Sequence, residues 1–115
     1  IPGGPHAARR IEHRVAGADA NPYLMLSAIL GAALIGMEDK IAPPPPLKGN
    51  AYEADTPQLP MDWLTAIEAF RSGPMVARIF DPLLVRLYAQ AKHQELQHFL
   101  GIVSGAEYHA YLETV

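Results

Sequence analysis

The chain has 115 residues, 50% of them hydrophobic and 18% charged, with a net charge of −3 and no cysteine. It is too apolar for a disordered tail, and it carries no basic footprint for nucleic acid. Without cysteine there is no disulfide scaffold, no thiolate metal site and no thiol nucleophile.

The length fits one domain at most, and the first residue is Ile1 rather than Met, which points to a processed start or a piece of a longer protein. Ile1 to Ala8 is rich in glycine and proline and reads as a loop. Arg9 to Val15 alternates like a strand, with Ile11, His13 and Val15 on one side and Arg10, Glu12 and Arg14 on the other. Gly17 to Ala20 reads as a turn. Asn21 is then a good helix N-cap, and Pro22 at the first helical position forfeits no hydrogen bond.

A helix is expected over 22–40, apolar nearly all round and therefore buried on most sides. Its apolar run from Tyr23 to Met37 spans 15 residues, short of the ~20 that a bilayer demands. No signal-peptide core precedes it. The expected protein is soluble and cytoplasmic, with neither a membrane nor a nucleic acid among its partners. The four prolines Pro43 to Pro46 should run as polyproline II within a long irregular connection to Pro60.

Further helices are expected over 63–72, capped by Asp62 and ended by Gly73, then over 75–80, then over 82–100 behind Asp81 and Pro82. Ser104 and Glu107 form a capping box for a last helix over 105–113. In the long helix, Leu83, Leu84, Leu87, Tyr88 and Ala91 make one apolar stripe, while Leu96, Phe99 and Leu100 lie on another side that wants a partner. The expected fold is mainly α, four to five helices with one N-terminal strand. A lone strand is not a sheet, so the whole reads as the tail end of a larger fold.

Arg10, Glu12 and Arg14 form the sharpest constellation. Period-2 spacing puts cation, anion and cation on one face, each ~7 Å from the next. Arginine forks suit phosphate and carboxylate oxygens, and a flanked glutamate can hold a divalent metal. From spacing alone the ordinary reading weighs more: an exposed strand face whose charges pair with neighbours. The histidines are weaker. Glu95 and His98 match half of a di-iron pattern that needs a second copy, and His6, His13 and His109 lack partners at ligand spacing. No zinc-protease helix, nucleophile elbow or phosphate loop is present.

The block from Arg10 through Ile11, Glu12 and His13 to Arg14, followed by Gly17-Ala-Asp-Ala-Asn-Pro-Tyr-Leu24, resembles the hallmark stretch of the glutamine synthetase superfamily. The likeness continues through the Ala/Gly-rich helix, Gly36 to Ile41 with its prolines, Gly49 to Tyr52, and Leu59-Pro60. It closes with Lys92, Glu95, Glu107, Tyr108, Tyr111 and Leu112. It covers essentially the whole chain, and the whole chain, 1–115, resembles the C-terminal fragment of that family's α+β catalytic domain.

The resemblance implies a ligase that joins glutamate to ammonia or an amine at the expense of ATP, through a γ-glutamyl phosphate. It also implies Mg2+ or Mn2+ and a homo-oligomeric ring with active sites between subunits. By the same resemblance Glu12 is a metal ligand. Arg10 serves the ATP phosphates, Arg14 binds the glutamate carboxylate, and both arginines are catalytic. His13 and Gly17 to Ala20 look more like the gamma-glutamylpolyamine synthetase branch than like ammonia-using glutamine synthetase. Tyr52 falls where bacterial glutamine synthetases carry an adenylylated tyrosine, but its surroundings differ and no such modification is expected. The remaining ligands must come from the rest of the catalytic domain, so the 115 residues alone should be inactive. Two alternatives stand beside this reading: ammonia-using glutamine synthetase itself, and a non-catalytic helical interaction module that keeps the packing residues without the chemistry.

Overall fold

A computed structural model describes residues 5–50, 53–55, 57–112 and 114. After a short 3-10 turn at His6–Ala8 come five helices: α1 (Pro22–Glu38), α2 (Trp63–Ser72), α3 (Pro74–Ile79), α4 (Pro82–Leu100) and α5 (Gly105–Tyr111). Tyr52 lies outside the described residues.

Local chemistry starts each long helix. The Asn21 side chain accepts hydrogen bonds from the backbone N–H groups of Tyr23 and Leu24, at 3.0 and 3.2 Å. Asp62 accepts from the Thr65 N–H and hydroxyl at 2.8 and 2.7 Å, and Asp81 accepts from the Leu83 N–H at 2.8 Å. Ser104 and Glu107 bond reciprocally as a capping box at α5. Each side chain satisfies a backbone donor that the first helical turn leaves without a partner. The Thr65 and Ser104 bonds hold the carboxyls of Asp62 and Glu107 below the usual range.

Packing is organised in two pairs. α2 lies along α4, and α1 lies against α3. Between α2 and α4 the buried residues are Ile67, Val85 and Ala89, flanked by Trp63 against Phe99 (ring centroids 5.6 Å apart) and Phe70 against Tyr88 (5.4 Å). Gly73 alone joins α2 to α3. A Cβ there would stand 2.8 Å from the Ala69 carbonyl oxygen and 3.1 Å from Val76 Cγ2, so the corner admits no side chain. The α1–α3 pair is equally close, because a Cβ on Gly31 would meet Ile79 Cγ2 at 2.7 Å. Arg78 of α3 closes its far end with a forked bond to Asp39, at 2.5 and 3.0 Å.

Three expectations are corrected. Arg9 to Val15 is not a strand, and no strand occurs among the described residues. A strand exists only through ladder hydrogen bonds to a neighbour, and these residues offer none. α1 is not buried on most sides: Ile35 is its one buried residue, while Leu26, Leu30, Leu34 and Met37 face outwards. In α4 the buried positions are Val85 and Ala89, and Leu83, Leu84 and Leu87 are exposed. The outward-facing apolar surface follows from the open shape. The radius of gyration is 18.9 Å, against ~13 Å for a compact chain of this length.

Candidate functional site

The segment 9–16, which bends at Val15 and Ala16, precedes the turn in which the Ala20 N–H bonds the Gly17 carbonyl at 3.2 Å, and that turn delivers the chain to the Asn21 cap. Hydrogen bonds bring Arg10, Glu12 and Arg14 together, as the sequence predicts. One Arg10 guanidinium nitrogen donates to Glu12 Oε2 at 3.2 Å, and another reaches the Ala8 carbonyl at 3.4 Å. Arg14 donates to Glu12 Oε1 through Nε at 2.6 Å and also through a terminal nitrogen. Both oxygens of the carboxylate are thus held by guanidinium groups.

Side-chain exposures of 60% for Arg10, 33% for Glu12 and 84% for Arg14 make the glutamate the shielded centre of an accessible cationic face. Two arginines and one glutamate leave a formal charge of +1. Water screens the pairs at such exposure, so they exchange readily for other anions. The arginines can then take phosphate or carboxylate oxygens in fork geometry, freeing Glu12 for a cation.

His13, Val15 and Ala16 line an open groove of about 580 Å³ with Leu24 and Met25 of α1, and Phe70 and Tyr88 contribute to its far wall. That wall was not read from the sequence, which assigned Tyr88 to the same stripe as Leu83, Leu84 and Leu87. The i,i+7 spacing of Trp63 and Phe70 on α2, matched by aromatics on α4, is the signal that could have placed it.

A second groove of about 630 Å³ brings Asp19 to Pro22 beside Trp63, Tyr88 and Lys92. Lys92 donates to Glu95 at 2.8 Å and stands 5.6 Å from the Tyr88 ring centre. The Glu95 bond raises the Lys92 pKa against the cost of burial, with Tyr88 and Asp19 adding smaller contributions. Glu95 is thus engaged by lysine on an exposed helix face.

Divalent Mg2+ and Mn2+ take several oxygen ligands. Among the described residues no cluster of three or more His, Asp or Glu could hold a metal. Glu12 alone therefore does not make a metal site. No helix among the described residues is long and apolar enough to cross a membrane.

Comparison with known proteins bears directly on this geometry. Residues 1–111 match the model of the glutamine synthetase catalytic domain. The chain belongs to that family. It is 36% identical over 113 residues to glutamate–isopropylamine ligase of a Pseudomonas species, covering 95% of this chain and 24% of that protein. It is 31% identical to gamma-glutamylputrescine synthetase of Escherichia coli, covering 93% of this chain and 23% of that protein. To glutamine synthetase of Thermus thermophilus it is 30% identical, covering 99% and 27%. The chain thus spans about a quarter of the length of the curated relatives it matches. No solved structure matches it significantly.

Proposed function

We propose that residues 1–115 act as the C-terminal part of the catalytic domain of an ATP-dependent glutamate–amine ligase, a cytoplasmic enzyme that assembles as a ring. The observation that carries the reading is the accessible Arg10–Glu12–Arg14 face within a chain whose family match runs almost end to end. In this reading ATP phosphorylates the glutamate side-chain carboxylate, and the amine then displaces phosphate to leave an amide. Arg10 binds the nucleotide phosphates, and Arg14 binds a glutamate carboxylate. Each arginine neutralises charge that the phosphoryl transfer concentrates in the site. Glu12 contributes one oxygen to a divalent ion whose other ligands lie elsewhere in the parent enzyme; the ion would screen phosphate charge.

The pairing of both arginines with Glu12 supports this division of labour. Without ligands, Glu12 accepts hydrogen bonds from both guanidinium groups and offsets one of their two charges. When phosphate and carboxylate oxygens arrive, the arginines release it, and the freed carboxylate can bind the cation that accompanies the nucleotide.

The test uses the full-length parent. Arg10→Ala should raise KM for ATP and Arg14→Ala should raise KM for glutamate, each by about 10- to 100-fold, the range for lost charge-assisted hydrogen bonds. Glu12→Gln should abolish metal-dependent turnover. Normal KM values in all three variants would refute the site. The isolated 115 residues should show no ligase turnover, and robust turnover would refute the partial-site reading.

Amines are the proposed acceptors because relatives named for isopropylamine, putrescine and ethanolamine products are 31–36% identical to the chain. Assaying the parent with ammonia against these amines distinguishes this from glutamine synthesis, the reading that the Thermus thermophilus relative favours.

A further inference from the structure

Pro43 to Pro46 form a surface of a different kind from the exposed leucines of α1 and α4. Each proline ring fixes φ at about −65° and keeps the residue before it out of the α region. Pro43, Pro44 and Pro45 are under both restrictions, which favour the polyproline II conformation. Four successive residues then lack an N–H, so the run joins neither a helix interior nor a sheet ladder, whatever surrounds it. Carbonyl oxygens and ring faces are what it offers a neighbour.

The chain displays this run. Residues 41–48 are exposed and belong to no helix or turn. A local bond closes each end. Before the run, the Ile41 N–H bonds the Gly36 carbonyl at 2.9 Å. After it, Gly49 takes φ 91° and the Asn50 side-chain amide donates to Glu53 Oε1 at 2.8 Å. Leu47, 58% exposed, extends the apolar edge. Lys48 follows as the one charged residue between Lys40 and Glu53. Its side chain makes no ion pair among the described residues.

Polyproline II has three residues per turn and rises ~3.1 Å per residue, so Pro43 and Pro46 share one edge about 9 Å apart. Proline pairs at this spacing dock in grooves lined by aromatic rings, and the preformed helix loses little entropy on binding. Lys48, two residues beyond Pro46, adds a charge to the match. A groove that suits it carries carboxylates at that end.

We infer that residues 42–48 are a docking motif for a partner protein that offers an aromatic-lined groove bordered by carboxylates. The run lines neither groove beside the triad segment, so this partner is separate from the substrates of the proposed ligase. The inference stands or falls independently of the ligase reading.

The test uses the full-length parent and, as probe, a purified SH3 domain with acidic residues at the border of its aromatic groove. Calorimetric titration should show saturable binding of one domain per chain. Pro43→Ala with Pro46→Ala should weaken it by about tenfold or more, the scale of a lost anchor. Lys48→Glu should weaken it by about three- to tenfold, and added salt should weaken binding of the unchanged protein. The same domain with its groove aromatics replaced should not bind.

No saturable binding at domain concentrations up to about 1 mM would overturn the inference, and so would binding that the proline variant leaves unchanged. Undiminished binding of Lys48→Glu would overturn the charge match with the partner. Association with anionic phospholipid vesicles, lost in Lys48→Glu but kept in the proline variant, would overturn the protein partner in favour of a lipid surface. Should the double proline variant lose helical circular dichroism, Pro46→Ala alone and Lys48→Glu carry the same expectations and the same refutations.

Discussion

Lys40 is the one non-glycine among the described residues whose backbone enters the left-handed region, at φ 52°. It follows α1 directly. The Ile41 N–H bonds the Gly36 carbonyl at 2.9 Å and the Lys40 N–H bonds the Met37 carbonyl at 3.3 Å, the paired closure that usually places glycine at this position. Lysine pays a steric cost there, because its Cβ crowds the following carbonyl. Lys40→Gly should therefore stabilise this helix end by about 0.5–1 kcal/mol, after allowing for glycine's freedom in the unfolded chain. Hydrogen exchange at residues 37–41 should slow; faster exchange would show that the lysine side chain contributes more than its backbone conformation costs. The same scale explains why the triad was legible. Period-2 spacing keeps Arg10, Glu12 and Arg14 within reach of one another, and they bond even though no ladder forms. Which of their charges would pair was not legible, since Glu12 bonds its own neighbours rather than groups across a sheet.

Helix starts were legible for an equally local reason. Asn21, Asp62, Asp81 and Ser104 each act on backbone groups two or three residues away, so the signal needs nothing from the rest of the fold. The buried faces were not, because burial depends on which neighbours arrive. The glycine of α1 that meets Ile79 shows the difference. Gly31→Ala would put a methyl group 2.7–2.8 Å from Ile79 Cγ2 and Cγ1, atoms of a stiff branched side chain that cannot swing clear. Thermal unfolding of the parent should show a loss of about 1–3 kcal/mol, the usual cost of overpacking. Ile79→Ala should relieve most of it, so the double variant should be less destabilised than the sum of the two. Strict additivity would show that the helices simply move apart.

The other end of the same helix pair responds to pH. The hydrogen bond from Arg78, with its charge, holds the Asp39 carboxyl below its ordinary value of 3.8. A depressed folded-state pKa means that the contribution is complete above the unfolded value and is lost as pH falls through the lower, folded one. The α1–α3 contact should therefore be unaffected near neutrality and weaken only in strong acid. Arg78→Ala should abolish this component of the acid sensitivity. Exchange at residues 35–39 followed against pH checks it: a contact that weakens already between pH 5 and 7 would point to a different group.

At the scale of the whole chain, the exposed apolar side chains determine behaviour. Leu26, Leu30, Leu34, Met37 and Ile41 form an outward series on and just beyond α1, and Leu83, Leu84 and Leu87 do the same at the start of α4. Covering one such side chain is worth about 1.5–3 kcal/mol, and a contiguous set is an association surface. Each long helix turns one side to its partner in the chain and leaves the other exposed. The relatives are about four times longer than this chain, ample material to cover those sides. The isolated 115 residues should then bind a hydrophobic dye strongly and self-associate as concentration rises, while the full-length parent should do neither at the same sites. Leu30→Glu with Leu34→Glu, two exposed positions one turn apart, should suppress self-association of the isolated chain without reducing its helix content. Introduced into the parent, the same pair should destabilise it, because there the leucines would be covered. Scattering from the isolated chain decides the matter. A dilute monomer with a radius of gyration near 19 Å and dye binding fits the open arrangement. A monodisperse particle near 13 Å that binds no dye would mean that these helices close on themselves and need no partner.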